Sequence, residues 1–151
     1  MPAPDPLMIT EALSYGIAGD HDHALGLLQP IVDTGPASTY ALLGALAEIA
    51  SKEARDTHQP GTRFGIETEG PDGATDIDVL PPPVRFAARF TTAWANRDRD
   101  MALALFHAVA EPADRDGTDE LADCITALYG MAVAVAEQTV LEHRRTRRGT
   151  A

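Results

Sequence analysis

Apolar residues recur at helical spacing along most of the chain. The first run, near Leu7 to Ala18, turns Met8, Ala12 and Tyr15 to one side. A break at Gly19 precedes a second run from about His21, where Ala24, Leu25, Leu28 and Ile31 share a face. Pro30 lies inside that pattern and predicts a kink or an end near Gln29. The turn "TGP" at 34–36 opens a third helix over 37–52, with Leu42, Leu43, Leu46 and Ile49 on its apolar side. Later runs predict helices over 83–95, over 100–110, and over a long stretch from about Thr118 to Arg144.

The order of elements is repeated. At an offset of 78, Asp20 meets Asp98, Asp22 meets Asp100, Ala24 meets Ala102, Leu28 meets Phe106 and Ile31 meets Val109. Further on, "LLGALAEIA" (42–50) resembles "LYGMAVAVA" (128–136) at an offset of 86. The sequence therefore predicts one all-α domain over residues 1–151, made of two related three-helix units at 6–52 and 84–144 and a basic tail at 144–151.

The segment 57–83 breaks the helical period. "TRFGIET" and "ATDIDVL" alternate apolar with polar residues around "EGPDG", a pattern that predicts an inserted β-hairpin at about 62–80. Its apolar face would be Phe64, Ile66, Ile77 and Val79, and would pack on the helices or on another chain. Its acids, Glu67, Glu69, Asp72, Asp76 and Asp78, lack the ordered spacing of a calcium loop and read as a solvated face.

"AGDHDHALGLL" at 18–28 poses a metal question. Residues two apart on a helix point roughly 200° apart, so His21 and His23 cannot converge on one ion. The second copy keeps both aspartates and replaces the histidines with Arg99 and Met101. What the copies share is a helix start. Asp20 or Asp98 accepts backbone N–H bonds, and Asp22 or Asp100 sits at the positive end of the dipole.

Tyr15, Gly19-Asp20, Ala24, Leu28 and Pro36 follow one another at the steps of a tetratricopeptide repeat, and the stretch "YGIAGDHDHALGLLQPIVDTGP" resembles the centre of that unit. "WANRDRDMALALF" repeats the steps with Ala102 and Phe106. The likeness covers about residues 8–50 and 86–110, departs at Glu11 and Pro30, and is interrupted by the insertion. It implies helical hairpins that serve as a scaffold for protein partners.

Charge narrows the range of partners. Net charge is −11, but "RRTRR" at 144–148 holds four of the twelve basic residues. The rest carries 8 basic against 23 acidic residues, a net of −15, which disfavours nucleic acid and anionic membrane over most of the surface. Lone Cys124 makes no internal disulfide. The N-terminus lacks the pattern of a signal peptide, and the most apolar window, 121–136, contains Asp123 and is short for a bilayer. A cytoplasmic protein with no membrane contact is expected.

No catalytic, cofactor or metal residues are assigned. Ser14, Ser38 and Ser51 lack a nucleophile elbow, and no glycine-rich loop opens a helix. Cys124 reads as a buried thiol, and His107 as a polar-face or interface residue. Trp94, the single tryptophan, reads as core or interface packing, and as the wall of a ligand site in the alternative reading. The last helix has a broad apolar face, from which Leu121, Ile125, Leu128, Tyr129, Ala132, Val133, Val135 and Ala136 are expected to form a homodimer interface. The function expected is that of a non-enzymatic adaptor that recognises another protein. The alternatives are a regulatory protein that touches nucleic acid through the arginine-rich end, and a helical module for a small apolar ligand.

Overall fold

The computed structural model describes residues 5–57, 68–70, 73–75 and 80–149. Among them six helices form the fold: α1 (Pro6–Ile17), α2 (His21–Thr34), α3 (Pro36–Thr57), α4 (Pro82–Ala95), α5 (Arg99–Asp116) and α6 (Glu120–Gly149). Helices α3, α4 and α6 pack together at the centre, α1 and α2 form one flanking hairpin, and α5 closes against α4. Leu42, Leu43, Leu46, Phe90, Phe106, Leu128 and Tyr129 are buried where these helices meet.

The repeated aspartates start α2 and α5 in the same way. Asp20 (φ −94°, ψ 70°) accepts from the His23 N–H, and Asp98 (φ −89°, ψ 79°) accepts from the Met101 N–H. The turns before them match bond for bond at the offset of 78. The N–H groups of Ala18, Gly19 and Asp20 donate to Ser14, Gly16 and Tyr15, while those of Asn96, Arg97 and Asp98 donate to Thr92, Trp94 and Ala93. Even the left-handed residue recurs, as Gly19 at φ 87° and Arg97 at φ 63°.

Two close helix approaches reverse large and small. Gly16 on α1 lies under Tyr129 of α6, whose hydroxyl donates to the Ala12 carbonyl at 2.9 Å. Gly44 on α3 lies under the ring of Trp94 on α4. In each case the missing side chain lets an aromatic ring lie against backbone.

The β-hairpin expected around 62–80 is corrected: the fold is all-helical. Strand pairing between α3 and α4 is confined, among the described residues, to Thr68–Gly70 (β1) with antiparallel Gly73–Thr75 (β2). Three pairs built from Thr, Glu, Gly and Ala bring no large apolar residue to anchor them, and a ribbon so short has little stability of its own in water. Phe64, Ile66, Ile77 and Val79, the expected apolar face, lie outside the described residues.

Three helix ends also differ from expectation. Pro30 does not end α2, which continues to Thr34, and α5 continues through Pro112 to Asp116. Each proline removes a bond to the carbonyl four residues back, and those residues, Gly26 and Ala108, are exposed, which lowers the cost of the missing donor. The basic end, expected as a tail beyond Arg144, is helical to Gly149, with arginines at the negative end of the dipole. The longer α6 holds an 18-residue window of mean hydropathy 1.5, enough by length and composition to cross a bilayer, and 33% of that window is buried in the fold.

Candidate interaction groove

Phe86, Phe90 and Trp94 follow at four-residue intervals along one face of α4. Their rings stack in sequence, with centroids 5.5 Å and 5.8 Å apart. Tyr40 of α3 meets this column edge-on, 6.1 Å from both Phe90 and Trp94, and also approaches Phe106 of α5 at 5.6 Å. Burial raises the Tyr40 phenol above its ordinary value, opposed by nearby Arg99, so its hydroxyl is neutral across the physiological range.

Trp94 ends the column and is held on several sides. Its indole N–H donates to Glu48 Oε2 at 2.7 Å, and the Arg99 guanidinium lies 3.5 Å from the ring centroid. Gly44 receives the ring edge. The remaining surface of the indole borders a cavity of about 500 Å³ between α1, α3 and α4. Ile9 and Thr10 form one wall, Tyr40, Ala41, Ala45 and Ile49 another, and Pro6 an end. The groove is apolar, open to solvent on one side, and bordered by a rigid aromatic whose polar edge is already satisfied. That arrangement suits an apolar side chain pressed in from outside.

Trp94, expected as core or interface packing with a ligand wall as the other reading, packs on Phe90 and Tyr40 and also lines a cavity. The eight residues expected at an interface divide differently. Ile125, Leu128, Tyr129, Ala132 and Val133 are buried within the chain's own core, while Leu121, Val135 and Ala136 are half-buried. The broad apolar face of α6 is covered mainly by α1, α3 and α4 of the same chain. Sequence reasoning missed Tyr40, Gly44, Glu48 and Arg99. The four-residue spacing of Phe86, Phe90 and Trp94 was a legible signal, whereas the meeting of α3 with α4 was not.

A second cavity of about 550 Å³ lies between the start of α3 and α5, with Val32, Thr39, Phe106 and Leu121 in its walls. His107 Nδ1 stands 3.6 Å from Glu111 Oε1 at its edge, both side chains largely exposed. Among the described residues no three His, Cys, Asp or Glu side chains are grouped to hold a metal ion. His23 stacks on Tyr15 with centroids 4.0 Å apart, and His21 meets the edge of Tyr129 at 6.2 Å.

Cys124 is buried on α6. Burial, reinforced by the Glu120 and Asp123 carboxylates, pushes its thiol up from 9.0 to about 12. The folded chain thus holds this proton more tightly than the unfolded chain does. Its contribution to stability is complete below pH 9 and disappears as pH rises towards 12. Urea midpoints measured across that interval should fall with pH, and Cys124→Ala should make the fall shallower. An unchanged slope in the variant would remove the thiol from the alkaline transition.

No protein-family model, curated protein or solved structure matches this chain.

Proposed function

We propose that this chain is a non-enzymatic interaction protein, an adaptor that self-associates and receives an apolar segment of another protein in the Trp94 groove. The groove carries the reading. Its walls are apolar, its aromatic anchor is immobilised by Glu48, Arg99 and Gly44, and it lies open between α1, α3 and α4 rather than closed around a small molecule. Charge selects the class of partner. Outside "RRTRR" the chain carries −15, so a basic amphipathic segment is attracted while acidic surfaces are repelled. The matched turns at Asp20 and Asp98 support the tetratricopeptide-like reading of the two hairpins, which belongs to the same proposal. Self-association is supported by α6, whose apolar window is only partly covered.

Because Trp94 is the single tryptophan, its fluorescence reports directly on the groove. Titration with basic amphipathic peptides should shift its emission to shorter wavelength and saturate. Thr10 is exposed at the groove wall, and Thr10→Arg should weaken peptide binding by about tenfold, equivalent to roughly 1.4 kcal/mol, with an unchanged melting temperature. Peptides that leave the emission unmoved would count against the adaptor reading. Saturable binding of a small apolar dye with no peptide response would favour a ligand module instead.

A further inference from the structure

Among the described residues, most of the outward face of α6 is exposed. Its buried residues, from Cys124 to Val133, lie on one side, and none of the described residues from Ala134 onward is buried. At 1.5 Å per residue the helix is about 45 Å long, and its second half projects beyond the core. A projecting half of about 15 residues is marginal as a helix on its own in water and gains stability by packing. Val140 and Leu141, 38% and 48% exposed, lie on this half.

Opposite the buried side, Asp123, Gly130, Ala134, Leu141 and Arg145 share one exposed face at helical spacing, with half-buried Ala127 at its border. Gly130 is informative. Among the described residues a Cβ placed there meets nothing within 4 Å, so their packing does not require glycine in the middle of this helix. The two ends also differ in charge: Asp119, Glu120 and Asp123 stand at the start and Arg144, Arg145, Arg147 and Arg148 at the finish, while Glu137 and Glu142 of the second half lie off the face centred on Ala134.

We infer that α6 pairs antiparallel with α6 of a second copy across this face, with Ala134 near the two-fold axis. Antiparallel pairing about Ala134 sets Arg145 beside Asp123, Arg148 beside Glu120, and Leu141 beside Ala127 of the other copy. Parallel pairing would set acid against acid and base against base. A twofold axis makes each favourable contact occur twice. The inference rests on the self-associating reading above and adds to it the face, the orientation and the centre. It also replaces the buried residues Ile125, Leu128, Tyr129, Ala132 and Val133 as the surface that meets the second copy.

The test uses the full chain. Light scattering should give twice the chain mass at low salt, with dissociation favoured as salt screens the end-to-end charge pairs. Gly130→Leu should halve that mass while circular dichroism and melting of the monomer are retained, because the chain itself leaves room at this position. Ala134→Cys should form a covalent dimer under mild oxidation. The parent, whose only thiol is buried Cys124, and Ala122→Cys, off the proposed face, should not. A monomeric parent overturns both the self-association and this inference, and binding of that monomer to anionic vesicles would make the face a membrane surface. A dimer that survives Gly130→Leu and fails to cross-link through Ala134→Cys overturns the face and leaves self-association standing.

Discussion

Phe90→Ala is expected to lower stability by about 3–5 kcal/mol, the range for truncating a fully buried phenylalanine. The ring sits between Phe86 and Trp94 on its own helix and takes the edge of Tyr40 from α3. Neighbours on a packed α-helix cannot collapse into the space it leaves, so the transfer loss is joined by a cavity. For a chain of this size the loss corresponds to roughly 6–20 °C in melting temperature. The substitution also removes one support of Trp94, so the groove should loosen before the chain unfolds. Chemical denaturation followed by tryptophan fluorescence and by circular dichroism would show both effects. A loss below 1 kcal/mol would mean that the aromatic column is not the centre of the core.

Gly16→Ala is expected to be destabilising by about 1–3 kcal/mol, although the same change usually favours a helix. The new Cβ would overlap the Tyr129 hydroxyl and stand 2.7 Å from Val133 Cγ2. Tyr129 cannot swing aside without giving up its bond to the Ala12 carbonyl, and burial also raises its phenol, keeping it neutral and donating. Gly26→Ala on α2 is the control. A Cβ there meets nothing within 4 Å, and the helix should gain about 0.5–1 kcal/mol. Opposite signs from two helical glycines, read from urea midpoints, would establish the α1–α6 approach. Combining Gly16→Ala with Tyr129→Phe should cost less than the sum of the two single changes, since both act on one hydroxyl. Two stabilising glycine replacements would contradict the packing described.

The local starts of the helices were legible because their causes lie within a few residues. Asp20 and Asp98 cap α2 and α5 through N–H groups three positions on, so an aspartate before a periodic apolar run already carries the instruction. Pro30 and Pro112 were harder to read. A proline ends a helix only when its freed carbonyl has nowhere to turn, and whether Gly26 and Ala108 face water is decided by the rest of the fold. The hairpin expectation failed for a related reason. Alternation in the sequence marks a surface that could pair, but pairing in water needs further strands or a packed face.

The candidate site shows the same division. Trp94 could be singled out as an isolated aromatic, while its partners Glu48 and Gly44 stand some fifty residues away on another helix. Likewise the breadth of the apolar face on α6 was readable, but not how much of it the chain would use on itself.

By itself the sequence determined helical segments, their capped starts, the recurrence of one turn at an offset of 78 residues, and the sorting of acid and base to opposite ends of α6. Each depends on interactions spanning no more than about one helical turn, or on a count of charges. Only the tertiary structure decided that Gly16 and Gly44 receive aromatic rings, that Trp94 borders a groove, and that α6 buries one side while the other is largely exposed among the described residues. Those outcomes depend on which helices meet, and that is set by the combined burial of residues far apart in the chain rather than by any local pattern.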